Sequence, residues 1–491
     1  MYWSSFSHTN KQTQIERQEQ SKAGYSNPYS LIARCLSLIV RFPLLFALML
    51  VLLGCGGGGG SDLLKPVSSN SSSAGSAPAA SSTAATAAIQ NGPSVSLLSF
   101  GNAGYGGNDT NVIQNALNTT ASNGQVLRIP AGSYNINPLS FPSNSKVALD
   151  AGVTVTANAG YGTGDKMLNI HSQNVTVAGA GATSVIFQMR KSEYAAEHSS
   201  DGSEYRHCLD IESASNVTIS GISCNRSGGD GLYIGAAGAD GPPSQNITIS
   251  DSIFDQNFRQ GFSLISGQHI FVYRCHFTNT SGTNPEAGID IEPNNPHNAA
   301  ADVHIEDSFT NGNNGPGVKL AFWQMTGASP EVSVTVLRHH SSSNGQSGYD
   351  ANNNDVSPNA QGQVVVQDSL SENDGDYGAQ GRWYQANGPL LIFQNLSITN
   401  PHRNGPDPTF HDSAAVALMR GGGGATPLGN IQFLGVNIAV TNGKVDRYFN
   451  FEDGSGKGVQ KMVFHPGNLS GASQVPPNGL VQSAGFNTVD Q

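Results

Sequence analysis

Charged residues are scarce in this sequence. Its 24 Lys and Arg and 35 Asp and Glu residues make up 12% of 491 positions, about half of the roughly 25% typical of globular proteins. Glycine is abundant instead, with 59 residues, which suits a protein of many turns and uncharged polar surfaces. The net charge of −11 argues against nucleic acid as a general partner, because an acidic surface repels phosphates.

Cysteine is also scarce, with five residues in all. Cys208, Cys224 and Cys275 lie in the long C-terminal part of the chain at irregular spacing. An odd number of cysteines without a regular spacing does not predict a disulfide framework. Cys224 aligns with Phe254 and Phe277 in the repeat described below, so we expect it in the core.

The sequence lacks an apolar run long enough to span a bilayer comfortably. The run FPLLFALMLVLL at residues 42–53 follows Arg34 and Arg41 and is shorter than the roughly 20 residues of a membrane-spanning helix. A basic flank before a short apolar core is typical of an export signal. We therefore predict a signal segment at residues 1–54.

The end of this segment, Leu52-Leu53-Gly54-Cys55, resembles the bacterial lipoprotein cleavage box. The resemblance implies cleavage before Cys55, lipidation of its thiol and a membrane anchor through that lipid. Residue 56 is Gly rather than Asp, which by the same resemblance favours the outer membrane. The alternative is an ordinary signal peptide with an incidental cysteine. Residues 55–92, rich in Gly, Ser and Ala, predict a flexible tether, so we expect an exported lipoprotein of the bacterial cell envelope.

Amphipathic helices are scarce from residue 93 onward. One segment, NDTNVIQNALNTTA at residues 108–121, offers Asp109 or Thr110 as an N-cap and an apolar face with Ile113 and Leu117. The stretch GQVLRIPAGSYNI follows it and predicts an apolar strand ending at a glycine turn. Everything after that stretch favours strands over helices.

Beyond this segment the chain repeats a short pattern. One half alternates apolar residues before a polar turn, as in NVTISGISC (216–224) and NITISDSIF (246–254). The other half begins with glycine, as in DGLYIG (230–235), and the glycines at positions 231, 261, 288 and 317 step by 30, 27 and 29 residues. Short strands at this period, with no helix between them, predict coils stacked on one another.

The helix, the strand after it and the repeat together resemble right-handed parallel β-helices of the pectin-lyase-like superfamily. The resemblance covers about residues 95–470, roughly a dozen coils at this period. It implies an all-β, single-stranded right-handed parallel β-helix with a short N-terminal capping helix, which we place at residues 93–491. A β-sandwich is disfavoured, since its strands would not recur at a near-constant period.

Residues at equal distances from the repeated glycines form columns in such a stack. Each coil rises about 4.8 Å, the spacing of paired strands. The outward column two residues after the glycine is predicted to contain Asp210, Tyr233, Ser263, Asp290, Lys319 and Asp350. The next outward column contains Glu212, Gly235, Ile265, Glu292, Ala321 and Asn352. We also expect the glycines to remove bulk, so that a polymer can lie close to the sheet.

The stretch NPEAGIDIEPN (284–294) places Asp290 and Glu292 on one face, because side chains alternate along a strand. Asp290 alone is explained by a surface salt bridge to Lys319, but a dense charge cluster in a chain so poor in charge predicts a functional groove. The predicted catalytic residues are Asp290, Glu292, Lys319, Arg259 and Asp230. The predicted substrate-binding residues are Asp210, Glu212, Tyr233, Ser263, Glu286, Trp323 and His207.

Three kinds of function fit this groove. A glycoside hydrolase would use Asp290 and Glu292 as acid and base, since Cα atoms about 6.5 Å apart let carboxyls reach the separation of inverting enzymes. Polygalacturonase-like hydrolases share the fold, but their Asn-Thr-Asp, paired-Asp, Gly-His-Gly and Arg-Ile-Lys signatures are absent.

A polysaccharide lyase would bind Ca²⁺ through Asp290 and Glu292, with Lys319 or Arg259 as base or charge neutraliser. A uronan C5-epimerase is a variant of that chemistry, although the Asp-Pro-His-Glu sequence of one such group is missing. The third alternative is a non-catalytic surface glycan-binding protein or adhesin. The sequence thus predicts a polysaccharide partner, with cleavage favoured over binding alone.

Overall fold

The structure, a computed structural model, describes residues 77–353, 359–407, 413–420, 424, 426–473 and 481–484. These residues belong to one compact unit, Ser72–Gln491. The predicted signal segment, Cys55 and the first part of the predicted tether lie outside the described residues. No helix among the described residues is long and apolar enough to cross a membrane.

Short strands dominate the described part of the chain. Its helices are α1 (Ala77–Asn91), α2 (Thr110–Ser122) and α3 (Lys191–Asp201), with a 3₁₀ turn at Leu97–Ser99. The strands in chain order are β1 (Val95–Ser96), β2 (Tyr105–Asn108), β3 (Leu127–Ile129), β4 (Gly132–Ile136), β5 (Leu139–Ser140), β6 (Lys146–Leu149), β7 (Val153–Ala157), β8 (Leu168–Ile170), β9 (Gln173–Gly179), β10 (Val185–Gln188), β11 (Leu209–Glu212), β12 (Ser215–Ser220), β13 (Ser223–Asn225), β14 (Leu232–Gly235), β15 (Ser244–Ser250), β16 (Ile253–Asp255), β17 (Phe262–Leu264), β18 (Gly267–Tyr273), β19 (His276–Thr278), β20 (Ile289–Ile291), β21 (Ala300–Glu306), β22 (Phe309–Asn311), β23 (Val318–Ala321), β24 (Val332–Leu337), β25 (His340–Ser342), β26 (Tyr349–Asn352), β27 (Gly362–Gln367), β28 (Leu370–Glu372), β29 (Ala379–Arg382), β30 (Leu390–Gln394), β31 (Ser397–Thr399), β32 (Ala414–Arg420), β33 (Leu428–Ala439), β34 (Arg447–Asp453), β35 (Val459–Ser470) and β36 (Val481–Ala484).

The strands form ladders in which equivalent strands of successive coils pair in parallel. One sheet of 12 strands, which we call face 1, has the order β5-β8-β11-β14-β17-β20-β23-β26-β29-β32-β34-β36. The remaining 24 strands form two further ladders, which the long strands β33 and β35 join into one sheet. This arrangement confirms the predicted parallel β-helix, and the 12 strands of face 1 match the predicted dozen coils.

The inward side chains of face 1 form the core in the predicted register. Leu232 pairs with Phe262, Phe262 with Ile289, and Ile289 with Val318, and all four are fully buried. Burial of each such side chain contributes roughly 1.5–3 kcal/mol. Apolar packing therefore holds the two isoleucines of strand β20 in the core. The side chain between them, that of Asp290, points outward as a result.

A second part of the core confirms the prediction for Cys224. It pairs with Phe254, which pairs with Phe277 on the next coil, and the two phenyl rings stack with centroids 5.2 Å apart. Cys208, Cys224 and Cys275 are all buried free thiols. The absence of a disulfide framework among these three residues agrees with their spacing.

The repeated glycines serve coil packing. A Cβ at Gly288 would lie 2.5 Å from the Thr310 methyl and 2.8 Å from the Gly317 carbonyl oxygen of the next coil. A Cβ at Gly317 would lie 2.8 Å from the Gly348 oxygen. Such distances are too short for any side chain, so glycine lets successive coils approach. The prediction that these glycines make room for a polymer is therefore corrected.

The capping helix is confirmed, and a second helix replaces part of the predicted tether. Helix α2 has Asp109 as its N-cap residue and buries Ile113 and Leu117. Helix α1 lies within the predicted flexible segment, packs against β6 and β9 and donates from Gln90 Nε2 to the Leu149 oxygen at 3.0 Å. Its alanine-rich sequence has high helix propensity, so contact with the coils is enough to order it.

Candidate functional site

The outward side of face 1 carries the predicted column of polar side chains. Asp210 pairs with Tyr233, Tyr233 with Ser263, Ser263 with Asp290, Asp290 with Lys319, and Lys319 with Asp350. We call these six residues the polar column. Their predicted order and register are confirmed.

Several groups of the polar column are buried although they point away from the core. Asp210 is 0% exposed and Asp290 2% exposed. Each of four members has one oxygen that accepts no hydrogen bond from the described residues: Asp210 Oδ1, Ser263 Oγ, Asp290 Oδ1 and Asp350 Oδ1. Buried polar atoms are normally hydrogen-bonded. A row of such unsatisfied atoms is therefore expected to bind water or a ligand.

Asp290 and Glu292 form an acid pair. Burial raises the pKa of Asp290 well above its ordinary value, and the neighbouring charge of Glu292 raises it further. A negative charge on one carboxyl of such a pair disfavours ionisation of the other.

A glutamine positions Asp290. Gln260 Nε2 donates to Asp290 Oδ2 at 2.8 Å, and Gln260 Oε1 accepts from the Ala287 backbone N–H at 2.8 Å. Gln260 is itself 1% exposed. Because Oδ2 accepts this hydrogen bond, Oδ1 is the Asp290 oxygen without a hydrogen-bond partner among the described residues.

Glu292 is held by the predicted aromatic residue. Trp323 Nε1 donates to Glu292 Oε1 at 2.9 Å, and the tryptophan is partly exposed. The charge-assisted hydrogen bond orients the carboxylate. Partial exposure leaves indole surface on which a sugar ring can stack.

Lys319 lies between two carboxylates in the polar column without pairing directly with either. Its ammonium forms no ion pair or hydrogen bond with another described residue. Burial lowers the pKa of Lys319, but the charges of Asp350, Asp290 and Glu292 outweigh burial, so that pKa is raised overall. Lys319 is therefore a cation at neutral pH. The salt bridge that would have explained Asp290 as a surface charge is not present in this arrangement.

Arg259 and Asp230 are paired with each other. Arg259 Nε and Nη2 donate to the two Asp230 oxygens at 2.8 and 2.6 Å. Burial lowers the pKa of the Arg259 guanidinium, but Asp230 raises it by more, through its charge and these hydrogen bonds. The two side chains thus hold each other in a bidentate ion pair, and their predicted catalytic roles stay predictions.

His207 and Tyr233 lie beside this pair. Their rings stack with centroids 4.7 Å apart at an 8° angle. The Asp230 backbone N–H donates to His207 Nδ1 at 2.9 Å, which leaves the proton of a neutral ring on Nε2. Burial lowers the pKa of His207 to about 4. A neutral imidazole is thus stacked on one flank of the polar column.

A third charge group includes a residue that was not predicted. His171 Nε2 lies 2.7 Å from Asp210 Oδ2 and 3.6 Å from Glu212 Oε2. Their ligand atoms lie within 4.8 Å of one another, the only such group of three among the residues with described coordinates. Imidazole and carboxylate ligands suit a divalent transition metal. This set is separate from Asp290 and Glu292, the residues predicted for calcium.

Glu286 is not brought to the acid pair. Its Oε1 accepts from the Gly282 backbone N–H and from Asn314 Nδ2, the latter at 3.3 Å. The residue has φ of +55°, so it lies in a turn rather than in strand β20. Its predicted role in substrate binding stays a prediction.

Sequence reasoning missed Gln260 and His171, and gave Asp350 a place in the column without a role. Gln260 precedes the repeated Gly261, as Asp230 precedes Gly231, so the column before the glycines carried a signal. His171 follows strand β8, which pairs with β11 beside Asp210. Its strand lies one coil before β11, the first strand assigned to the columns from the sequence.

Comparisons with known proteins agree with the geometry. The family model described as right handed beta helix region matches residues 173–329. The chain is similar to the A-module of the mannuronan C-5 epimerase AlgE4 of Azotobacter vinelandii, at 15% identity and a TM-score of 0.52, covering 81% of this chain and 100% of that chain. It is also similar to the family 28 exopolygalacturonase of Yersinia enterocolitica, at 14% identity and a TM-score of 0.50, covering 78% and 79% respectively.

At these identities the similarity establishes the fold alone. Together with the parallel ladders and the family model, it identifies a right-handed parallel β-helix. No curated protein matches the chain by sequence at a significant level. Function therefore has to be argued from the site.

Proposed function

We propose that the protein binds a polysaccharide along face 1 and hydrolyses a glycosidic bond there. The observation that carries the proposal is the acid pair, in which Asp290 is buried beside Glu292 and its pKa is raised well above the ordinary value. A carboxylic acid with a raised pKa is what a glycosidase needs to protonate the leaving oxygen. Asp290 is accordingly the general acid, and Glu292 maintains its proton.

Asp350 is the better placed base. It lies two coils from Asp290 in the polar column, so their Cα atoms are about 9.6 Å apart at roughly 4.8 Å per coil. That distance is compatible with the roughly 6.5–9.5 Å between the carboxyls of inverting enzymes. In the proposed step, Asp290 gives its proton to the leaving oxygen while Asp350 takes one from the attacking water. The bond from the anomeric carbon to the leaving oxygen breaks as water forms its own.

The positive charges of Lys319 and Arg259 favour hydrolysis over elimination. A lyase base must be an uncharged amine or guanidine when it removes a proton, yet the pKa values of Lys319 and Arg259 are both raised by neighbouring carboxylates, despite burial. Lys319 can instead stabilise the Asp290 carboxylate formed when the proton leaves. It can also attract an acidic group on the sugar.

The flanks of the polar column supply sugar contacts. Trp323 offers a partly exposed indole, and Tyr233 with His207 offers a stacked pair. Asp210, Glu212 and Ser263 offer hydrogen-bond acceptors to hydroxyls. Two proteins with the same fold are named for action on mannuronan and on polygalacturonate, which supports a polysaccharide substrate without specifying the sugar.

We also propose that the chain is exported and anchored in the bacterial cell envelope through lipid on Cys55. The motif Leu52-Leu53-Gly54-Cys55 after an apolar run supports this. Labelled palmitate should enter the wild-type chain expressed in a Gram-negative host and not the Cys55→Ala variant. Equal labelling of the two chains, or no labelling of either, would show that Cys55 does not carry the lipid.

Product analysis tests the reaction class. The full chain is incubated with a panel of neutral and acidic polysaccharides, and new reducing ends are followed together with ultraviolet absorbance of unsaturated uronates. Reducing ends without absorbance are expected. Rising absorbance would instead identify a lyase, and inversion at C5 by nuclear magnetic resonance would identify an epimerase. Binding without any product would identify a glycan-binding protein.

A further inference from the structure

A cavity of about 570 Å³ lies where helix α3 begins, outside face 1. Its walls come from strands β7 and β10 and from the turns that follow β13, β16 and β19. The polar lining consists largely of amides and hydroxyls, from Thr156, Gln188, Gln256, Asn279 and Ser281. This volume is in the range of small-molecule sites, roughly 300–1,000 Å³. We call it the basic cavity, for the charges described next.

One of the charges in the basic cavity is already compensated. Arg190 Nε donates to Glu193 Oε2 at 2.5 Å, and Glu193 Oε1 accepts from the Gly160 backbone N–H at 2.8 Å. Both oxygens of Glu193 are therefore occupied. This pair leaves Lys191 and Arg226 as the cations that line the cavity without such a partner.

Lys191 has only uncharged partners. Its ammonium donates to the Asn257 backbone oxygen at 3.0 Å and to Ser281 Oγ at 2.9 Å, and no ion pair of Lys191 occurs among the described residues. Burial lowers the pKa of Lys191 to about 8, although the charges of Glu286 and Asp255 oppose it. Lys191 therefore remains mostly charged at neutral pH.

Arg226 is in the same situation. Its Nε donates to Gln256 Oε1 at 3.3 Å, and it makes no salt bridge within the described part of the chain. The nearby Asp255 already accepts from Thr278, Asn279 and Gln256 side chains. Two uncompensated cations in one cavity are unexpected in a chain with a net charge of −11.

We propose that the basic cavity binds an anionic sugar unit, with its carboxylate between Lys191 and Arg226. A carboxylate would receive charge-assisted hydrogen bonds from both cations, and the surrounding amides and hydroxyls can bond to ring hydroxyls. Lys191 is half-buried and Arg226 is exposed, and neither makes an ion pair with a described residue, so a ligand carboxylate can interact with both. This site goes beyond the proposed hydrolysis and does not depend on it.

Calorimetric titration of the full chain with sodium galacturonate, glucuronate or mannuronate tests the site, with glucose and sodium sulfate in parallel. We expect at least one uronate to bind, and the Lys191→Met and Arg226→Gln variants each to bind it about tenfold more weakly or worse. Lys461→Met is the matched control, because Lys461 also donates to a backbone oxygen, that of Ala386 at 3.0 Å. The Lys461→Met variant should bind the uronate with the affinity of the wild type.

Three results would overturn the proposal: no uronate binding, unchanged affinity in both cavity variants, or equal binding of glucose. Sulfate binding as tight as uronate binding would reduce the site to one for inorganic anions and equally reject a sugar site. Thermal unfolding of each variant checks that the fold is kept. Uronate binding is measured as heat and hydrolysis as new reducing ends, so failure of this site and failure of hydrolysis are distinguishable.

Discussion

Gln260 and Asp290, on successive coils of face 1, are joined by a hydrogen bond of 2.8 Å from Nε2 to Oδ2. The other amide atom, Oε1, accepts from the Ala287 backbone N–H. One buried amide thus fixes both the catalytic carboxyl and the turn that leads into strand β20.

Gln260→Leu should therefore lower both stability and activity. Leaving a buried donor or acceptor unpaired costs roughly 1–3 kcal/mol per group, so the free energy of unfolding measured in urea should fall by about that amount. The exposed Gln363→Leu variant on β27 is the control and should stay within about 0.5 kcal/mol of wild type. Equal stability of the two variants would show that Gln260 does not hold Asp290.

Lys319→Met should move the alkaline limb of the pH–rate profile to higher pH. Lys319 lowers the pKa of Asp290, opposing burial and Glu292, so its removal raises that pKa further. Because the general acid acts while protonated, activity then persists to higher pH even as the maximal rate falls. The Lys461→Met profile should keep the wild-type limb. A limb that moves to lower pH, or not at all, would mean that Asp290 is not the acid.

Trp323 is predicted to serve two separable roles. Trp323→Phe removes the N–H that bonds to Glu292 but keeps an aromatic face, so we expect kcat to fall more than KM rises. Trp323→Ala removes both the N–H and the aromatic face. It should raise KM further, because a sugar ring can no longer stack on the side chain. Steady-state kinetics on the polysaccharide identified by product analysis measure both. If the two variants behave alike, stacking makes no contribution.

His207 should make the protein less stable as the pH falls from about 6.5 to about 4. Its folded pKa is about 4, below the ordinary value near 6.5, so the unfolded chain takes up the proton first. The stabilisation is complete above pH 6.5 and falls by on the order of 3 kcal/mol through the folded pKa. Urea unfolding at pH 7 and pH 4.5 measures it. His207→Gln should flatten this dependence, and an unchanged slope would contradict the burial of a neutral ring.

The fold could be predicted from the sequence because the spacing of the repeat shows which residues of successive coils pair with one another. Glycines about 29 residues apart aligned Asp290 with Lys319 and Asp350, and the structure has the same pairing. The alternation of β20 likewise predicted that Ile289 and Ile291 lie inward. Because the coils stack regularly, aligning one column of residues also fixes the positions of the other columns.

The details of the site could not be predicted in the same way. Side-chain alternation shows that Asp290 and Glu292 share a face, but not that Asp290 is buried with a raised pKa, because that depends on side-chain rotamers and on neighbouring coils. Glu286 lies in the turn before β20, whose backbone conformation side-chain alternation does not describe. Gln260 was missed because an uncharged amide gives no signal until its partners are known.

The most direct test of the account compares wild type with Asp290→Asn on one cleaved polysaccharide, measuring the rate of new reducing ends and the binding affinity together. Asparagine keeps the shape of the side chain but has no proton to give. We predict a rate lower by about 10²–10⁴, the usual contribution of a general acid, with affinity kept within a few-fold. Cleavage by Asp290→Asn at the wild-type rate would contradict the account.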